Sequence, residues 1–266
     1  MRTFSNPIAA ALLLAAAAPG ARAALIPVAA GYSSFAQIRD TNNNVIVEDG
    51  TGGTLLAGGP SSGTISGTRS DNGVTTQHAG SANHTVAIGP GGISGSGSAN
   101  SRTTYIGGAN EYISQQTVSG FGSTIDFTVN ATQQYVATLT GAVTAYHRAY
   151  EPDGPAGSFF SVFRLSGNNS PGYLFDNSVL NVPTLTNVPF TQTVTLTPGV
   201  AYRLEFSTAS TGNTIRYTIP EAGPGEYSET GYTQAFSLTA VPEPGVLPAL
   251  MGLGAAGMSR ARRRRG

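Results

Sequence analysis

Apolar and polar residues alternate strictly in several stretches of this chain, and no stretch of useful length repeats its apolar residues at the spacing of a helix. Successive side chains of a strand point to opposite faces, so the alternation marks strands with one buried face. Ser123 to Asn130 puts Ile125, Phe127 and Val129 on one face. Tyr202, Leu204 and Phe206 share a face within residues 201–208, and Tyr232, Gln234, Phe236 and Leu238 share one further on. Residues 189–197 align Phe190, Val194 and Leu196, and Pro198-Gly199 follows as a turn signal, predicting a hairpin back into 201–208. The pattern predicts an all-β chain.

Between these segments the chain is soft. Residues 51–101 consist mostly of Gly, Ser, Thr and Asn, within a chain that holds 35 Gly in 266 residues. Such composition also occurs in disordered segments, and Gly in a strand interior packs nothing. Thr85 to Ile88 and Ile93 to Ser98 flank Gly89-Pro90-Gly91-Gly92, which favours two thin strands around a turn, their small side chains allowing close sheet packing, over a loose segment. Antiparallel strands with Gly-rich connections and no helices predict one domain, residues 24–240, folded as a two-sheet sandwich of jelly-roll type.

The amino-terminal segment, residues 1–23, has a short basic start at Arg2, an apolar run from Ile8 to Ala18, a Pro19-Gly20 break and the triplet Ala21-Arg22-Ala23. This is the order of a secretory signal helix, too short for a membrane span and cleaved between Ala23 and Ala24. The formal net charge of zero conceals an acidic domain, because seven of the fourteen Arg lie outside residues 24–240. Inside those bounds seven Arg and no Lys face thirteen Asp and Glu, a net charge of −6. That sign opposes nucleic-acid binding, whose affinity comes mainly from neutralising phosphates.

Groups for chemistry are sparse. With no Cys there is no disulfide, thiolate ligand or thiol nucleophile. Gly59-Pro60-Ser61-Ser62-Gly63 matches the G-x-S-x-G nucleophile elbow in letters, but that motif needs a strand-to-helix turn and here a Gly-rich loop follows, so chance is the better account. His78 and His84 lie six apart in a polar stretch, off the usual metal-pair spacings, and are expected to be solvated; His147 is the third. Asp40-Thr41-Asn42-Asn43-Asn44 and Asp71-Asn72-Gly73 offer oxygen ligands of the kind calcium takes, but neither fits the EF-hand loop and plain turns explain both. Glu151 and Asp153 could form a glycosidase pair, though two acids in a Pro-Gly turn are more often a solvated loop. Of the aromatic group Tyr146, Tyr150, Phe159, Phe160 and Phe163, most are expected in the core; Tyr146 and Tyr150, beside His147 and Arg148, are the candidates for a sugar-stacking face. No catalytic residue, metal site or cofactor is expected.

Residues 241–266 contain three unlike elements in order: Pro242-Glu243-Pro244, an apolar stretch from Gly245 to Met258, and a basic cluster of Arg260, Arg262, Arg263, Arg264 and Arg265. Proline on both sides of Glu243 keeps the motif extended. An apolar helix of about 14 residues spans about 21 Å against a hydrocarbon core of about 30 Å, which suits a transient anchor, with the Arg cluster as a cytoplasmic stop. This order resembles the PEP-CTERM sorting tail of exported proteins from bacteria that make extracellular polysaccharide. The resemblance implies recognition by a membrane-embedded exosortase-type processing enzyme, transient anchoring through the short hydrophobic helix, and delivery to the cell surface or the extracellular space. On that reading the domain is a non-enzymatic structural or adhesive component associated with exopolysaccharide. The alternatives are a carbohydrate-binding module with an aromatic face and, behind it, a polysaccharide hydrolase using Ser61, Glu151 or Asp153.

Overall fold

The computed structural model describes residues 24–40, 42–71, 73–108, 114–148, 158–167, 172–182, 189–215 and 227–241. The predicted signal helix, the hydrophobic helix of the tail and the Pro-Glu-Pro motif lie outside them. Thirteen strands occur among the described residues, and no helix. They are β1 (Leu25–Arg39), β2 (Val45–Gly53), β3 (Pro60–Asp71), β4 (Val74–Gly89), β5 (Gly92–Gly108), β6 (Ser114–Val129) and β7 (Gln133–Arg148), then β8 (Ser158–Gly167), β9 (Tyr173–Asp176), β10 (Val179–Val182), β11 (Phe190–Leu196), β12 (Tyr202–Ile215) and β13 (Tyr227–Ala240).

They form two antiparallel sheets packed face to face. The larger sheet runs β10-β8-β12-β6-β1-β2, with β9 also paired to β8, and the smaller runs β11-β7-β13-β5-β4-β3. The alternating faces read from the sequence turn inward as expected: Ile125, Phe127, Val129, Tyr202, Leu204, Phe206, Phe236 and Leu238 are buried in one core. Phe206 and Phe236 meet across the sheets with ring centroids 4.3 Å apart, and Phe163 and Phe121 close on Phe206 from either side.

The predicted hairpin at Pro198-Gly199 does not form. β11 pairs with β7 in the smaller sheet, whereas β12 lies between β6 and β8 in the larger one. The turn residues are as read, with Gly199 at φ 79°, but the turn bridges two sheets instead of pairing neighbours. Alternation reports which face of a strand is buried and not which strand lies beside it.

The soft segment is ordered and longer than predicted. Its two thin strands are the ends of β4 and β5, which pair continuously from Val74↔Gly108 to Gly89↔Gly92. Gly95 and Gly97 of β5 face the core, where rings from the neighbouring elements rest on them. A Cβ at Gly95 would lie 2.4 Å from Phe236 Cε1, and one at Gly97 would lie 2.8 Å from Phe121 Cε2.

Candidate binding faces

The inward rows change character along the strands. Near the turn at Pro90 they are aliphatic and aromatic; toward the other end they become Thr76, His78, Ser101, Thr103, Gln115, Thr117, Ser119, Thr208, Ser210 and Thr230, all buried. Buried polar groups need partners, and here most find them across the sandwich. His78 reaches Thr76 Oγ1 (2.8 Å) and Gln115 Oε1 (3.1 Å) through Nε2, and Thr117 Oγ1 (3.0 Å) through Nδ1. Ser101 donates to the carbonyl of Ser210 at 2.9 Å, and Thr208 donates to Gln234 Oε1 at 2.7 Å. These bonds tie β4, β5 and β13 of one sheet to β6 and β12 of the other.

Both histidines expected in solvent are therefore interior. Burial lowers the pKa of His78, with a smaller opposing pull from its bond to Gln115. His84 has no hydrogen-bond partner at either ring nitrogen and sits among Phe121, Phe206 and Phe236, centroids 5.0, 5.7 and 6.4 Å away. Burial holds its pKa down at about 4, with a smaller opposing effect from the backbone of Gly122. A sequence signal was present: positions 78 and 84 differ from 86 by even numbers, so in a strand both share the face of Val86.

Ser61 lies on β3, buried, with its hydroxyl 2.8 Å from that of Ser34. It stands opposite His84 on β4, yet neither imidazole nitrogen bonds to it and no helix follows it, so the elbow geometry is not formed. The Asp40 segment folds as a turn in which the Asp40 carboxylate accepts from the amides of Asn42 (2.9 Å) and Asn44 (2.8 Å), with Asn43 at φ 65°. The Asn44 side chain also donates to the carboxylate, and that bond, with those of the two amides, lowers the pKa of Asp40. Among the described residues no three His, Asp or Glu side chains converge as metal ligands. Phe163 is in the core as expected, but Phe160 is exposed. Tyr146 pairs through its backbone with Glu229 on β13; its side chain, and Tyr150, Glu151 and Asp153 entirely, fall outside the described residues. So do the cleavage residue Ala23, the motif Pro242-Glu243-Pro244 and the Arg cluster.

Among the described residues, two solvent-facing surfaces are concave. On the larger sheet a groove of about 520 Å³ has Gly31 and Gly122 in its floor, Ser33, Thr124 and Ser207 beside them, and the ion pair of Arg164 with Glu205 as a wall. On the smaller sheet a shallow depression of about 560 Å³ is lined by Asn83, Thr85, Ser96, Ser98, Thr140 and Thr233. Registers place these side chains in rows across the strands: Thr140, Ala235, Ser96 and Thr85 form one, and Thr233, Ser98, Asn83 and Ser62 another. Adjacent strands are about 4.8 Å apart, so the rows, interrupted at Ala235, present hydroxyl and amide groups at a short spacing. Within a third row the hydroxyls of Thr138 and Ser237 bond directly at 2.5 Å.

No family model, curated protein or solved structure matches the chain.

Proposed function

We propose that the chain is an exported, non-enzymatic protein of the cell surface or extracellular matrix, sorted through residues 241–266 and lying against extracellular polysaccharide as a structural or adhesive component. In this reading the amino-terminal segment is removed between Ala23 and Ala24. An exosortase-type enzyme then reads Pro242-Glu243-Pro244 while the apolar segment and the Arg cluster hold the chain in the membrane. The strand order supports a jelly roll within the sandwich: β5-β13-β7-β11 and β6-β12-β8-β10 are facing four-strand rows, and the chain passes from one sheet to the other at most of their connections.

The observation that carries the polysaccharide reading is the outer face of the smaller sheet. Its depression is lined by hydroxyl and amide side chains without a charge, a chemistry that matches the hydroxyl groups of a glycan, and the sheet beneath holds the rows rigid. A flat face of this kind suits many weak contacts along a polymer better than one deep pocket for a single sugar. The test is cosedimentation of the secreted protein with the exopolysaccharide of the producing cells. Thr85→Glu, Ser96→Glu and Thr140→Glu together should reduce binding at least tenfold while the β-sheet circular dichroism is retained; undiminished binding by the triple variant overturns the assignment of this face.

A further inference from the structure

Both ends of the described domain leave the sandwich at the same place. The amide of Leu25 donates to the carbonyl of Pro90 at 3.0 Å, and the amide of Ala240 donates to that of the adjacent Gly91 at 3.0 Å. Val241 is fastened next to them, its amide bonding to Gln134 O at 2.9 Å and its carbonyl accepting from Gln133 Nε2 at 2.7 Å. Only residues 242–244 separate this point from the apolar stretch that starts at Gly245. An extended chain covers at most about 3.5 Å per residue, so the start of that stretch lies within about 14 Å of Val241.

In charge, though not in exposed apolar side chains (Val45, Ile46 and Ile106 are exposed near the opposite end), this end of the molecule is unlike the other. Its connections, residues 54–59, 89–92, 130–132 and 197–201, contain no charged side chain. Four large apolar side chains stand exposed there: Ile26 (47%) and Val28 (60%) at the start of β1, and Leu55 (64%) and Leu56 (48%) in the turn before β3. The amide of Ile88 donates to Ala57 O at 3.0 Å, which places that turn beside the end of β4 and hence near Pro90. The start of β1 is paired only with β6, since β2 begins its pairing at Tyr32. The segments that link the strands on the opposite side in the chain, residues 40–44, 71–73, 109–113, 149–157 and 216–226, have seven carboxylates against one Arg in the sequence, of which Asp40 and Asp71 are among the described residues.

We infer that the end bearing Ile26, Val28, Leu55 and Leu56 rests on the bilayer surface while the tail is engaged, with these four side chains at the boundary of headgroups and acyl chains and the acidic end turned away. The inference rests on the reading of residues 245–258 as a membrane segment. A tether of about 14 Å keeps this end against the lipid, and apolar side chains gain by leaving water there. Carboxylates in the linking segments of the opposite side are repelled by anionic headgroups, so the opposite orientation is disfavoured. The arrangement holds the Pro-Glu-Pro motif at the depth of a membrane-embedded enzyme and the hydroxyl-rich face clear of the lipid.

Because the chain has no Cys, single labels can be placed without altering native thiols. Val28→Cys and Leu56→Cys report on one end, Asn42→Cys and Ser70→Cys on the other; all four positions are exposed. Each full-length variant would carry an environment-sensitive fluorophore and be reconstituted into vesicles of phosphatidylethanolamine and phosphatidylglycerol containing a headgroup-level quencher lipid. Labels at 28 and 56 should be quenched several-fold more than labels at 42 and 70. A chain that floats with the vesicles but is quenched equally at both ends overturns the orientation alone. A chain that fails to float overturns the membrane reading of the tail, and the orientation falls with it.

Discussion

His84 carries two ring nitrogens into a cage of three phenylalanines without a partner for either. Its pKa is lowered from 6.5 to about 4, so on acidification the unfolded chain takes up a proton before the folded one does. The stability associated with neutral His84 is complete above about pH 6.5 and is lost as pH falls through 6.5 toward 4, about 3 kcal/mol in all. His84→Leu removes both the proton site and the unsatisfied polar atoms, so the variant should equal or exceed the wild type at pH 7. It should also lose much less stability by pH 4.5, with His78 retaining part of the dependence. Urea melts of both proteins at the two pH values decide this; parallel losses would exonerate His84. Gly97 poses the opposite test of packing. A methyl there would stand 2.5 Å from the carbonyl of Asn83 and 2.8 Å from Phe121, so Gly97→Ala should cost about 1–3 kcal/mol through overpacking, read as a lower urea midpoint with an unchanged slope. A neutral outcome would mean that the Phe121 ring moves aside freely.

At the scale of strands, the inner face is legible in the sequence where apolar residues mark it and hidden where polar residues do. Ile125-Phe127-Val129 and Tyr202-Leu204-Phe206 were legible because water and core impose opposite demands on neighbouring positions. His78 and His84 were not, because both faces of β4 there are polar and alternation vanishes although the strand persists. Sheet membership was equally hidden: nothing in Pro198-Gly199 tells a turn within a sheet from one between sheets. The closure of the sandwich at β2 and β3 was also invisible, since it depends on side chains meeting backbone across sheets. Thr51 accepts from the amide of Ser62 and donates to its carbonyl, both at 2.7 Å, and Asp49 accepts from the amide of Thr64 at 2.7 Å. These bonds occupy groups of an edge strand that would otherwise be open to another chain. Asp49→Ala with Thr51→Val should raise amide exchange at Ser62 and Thr64 toward that of exposed residues and cost about 1 kcal/mol per bond lost. Unchanged protection in the variant would show that the clasp contributes nothing.

For the whole molecule, the proposed sorting is separable from the fold because the last strand ends before Pro242-Glu243-Pro244 starts. Residues as far as Val241 are fastened to the sandwich by Gly91, Gln133 and Gln134, and the motif follows at once. Glu243→Ala should therefore leave the melting curve unchanged while removing the charge that the proposed processing enzyme would read, and the unprocessed chain should accumulate in the membrane fraction. Changing Arg262, Arg263, Arg264 and Arg265 to Ser acts on a different step, because it weakens the charge barrier that holds a short apolar segment in place. That variant should pass through the membrane unprocessed and collect in the periplasm. Mass spectrometry of the chain ends in each cell fraction separates the two failures. If both variants are trimmed and reach the surface like the wild type, residues 241–266 are not the sorting signal, and the surface location assigned to the sandwich loses its basis.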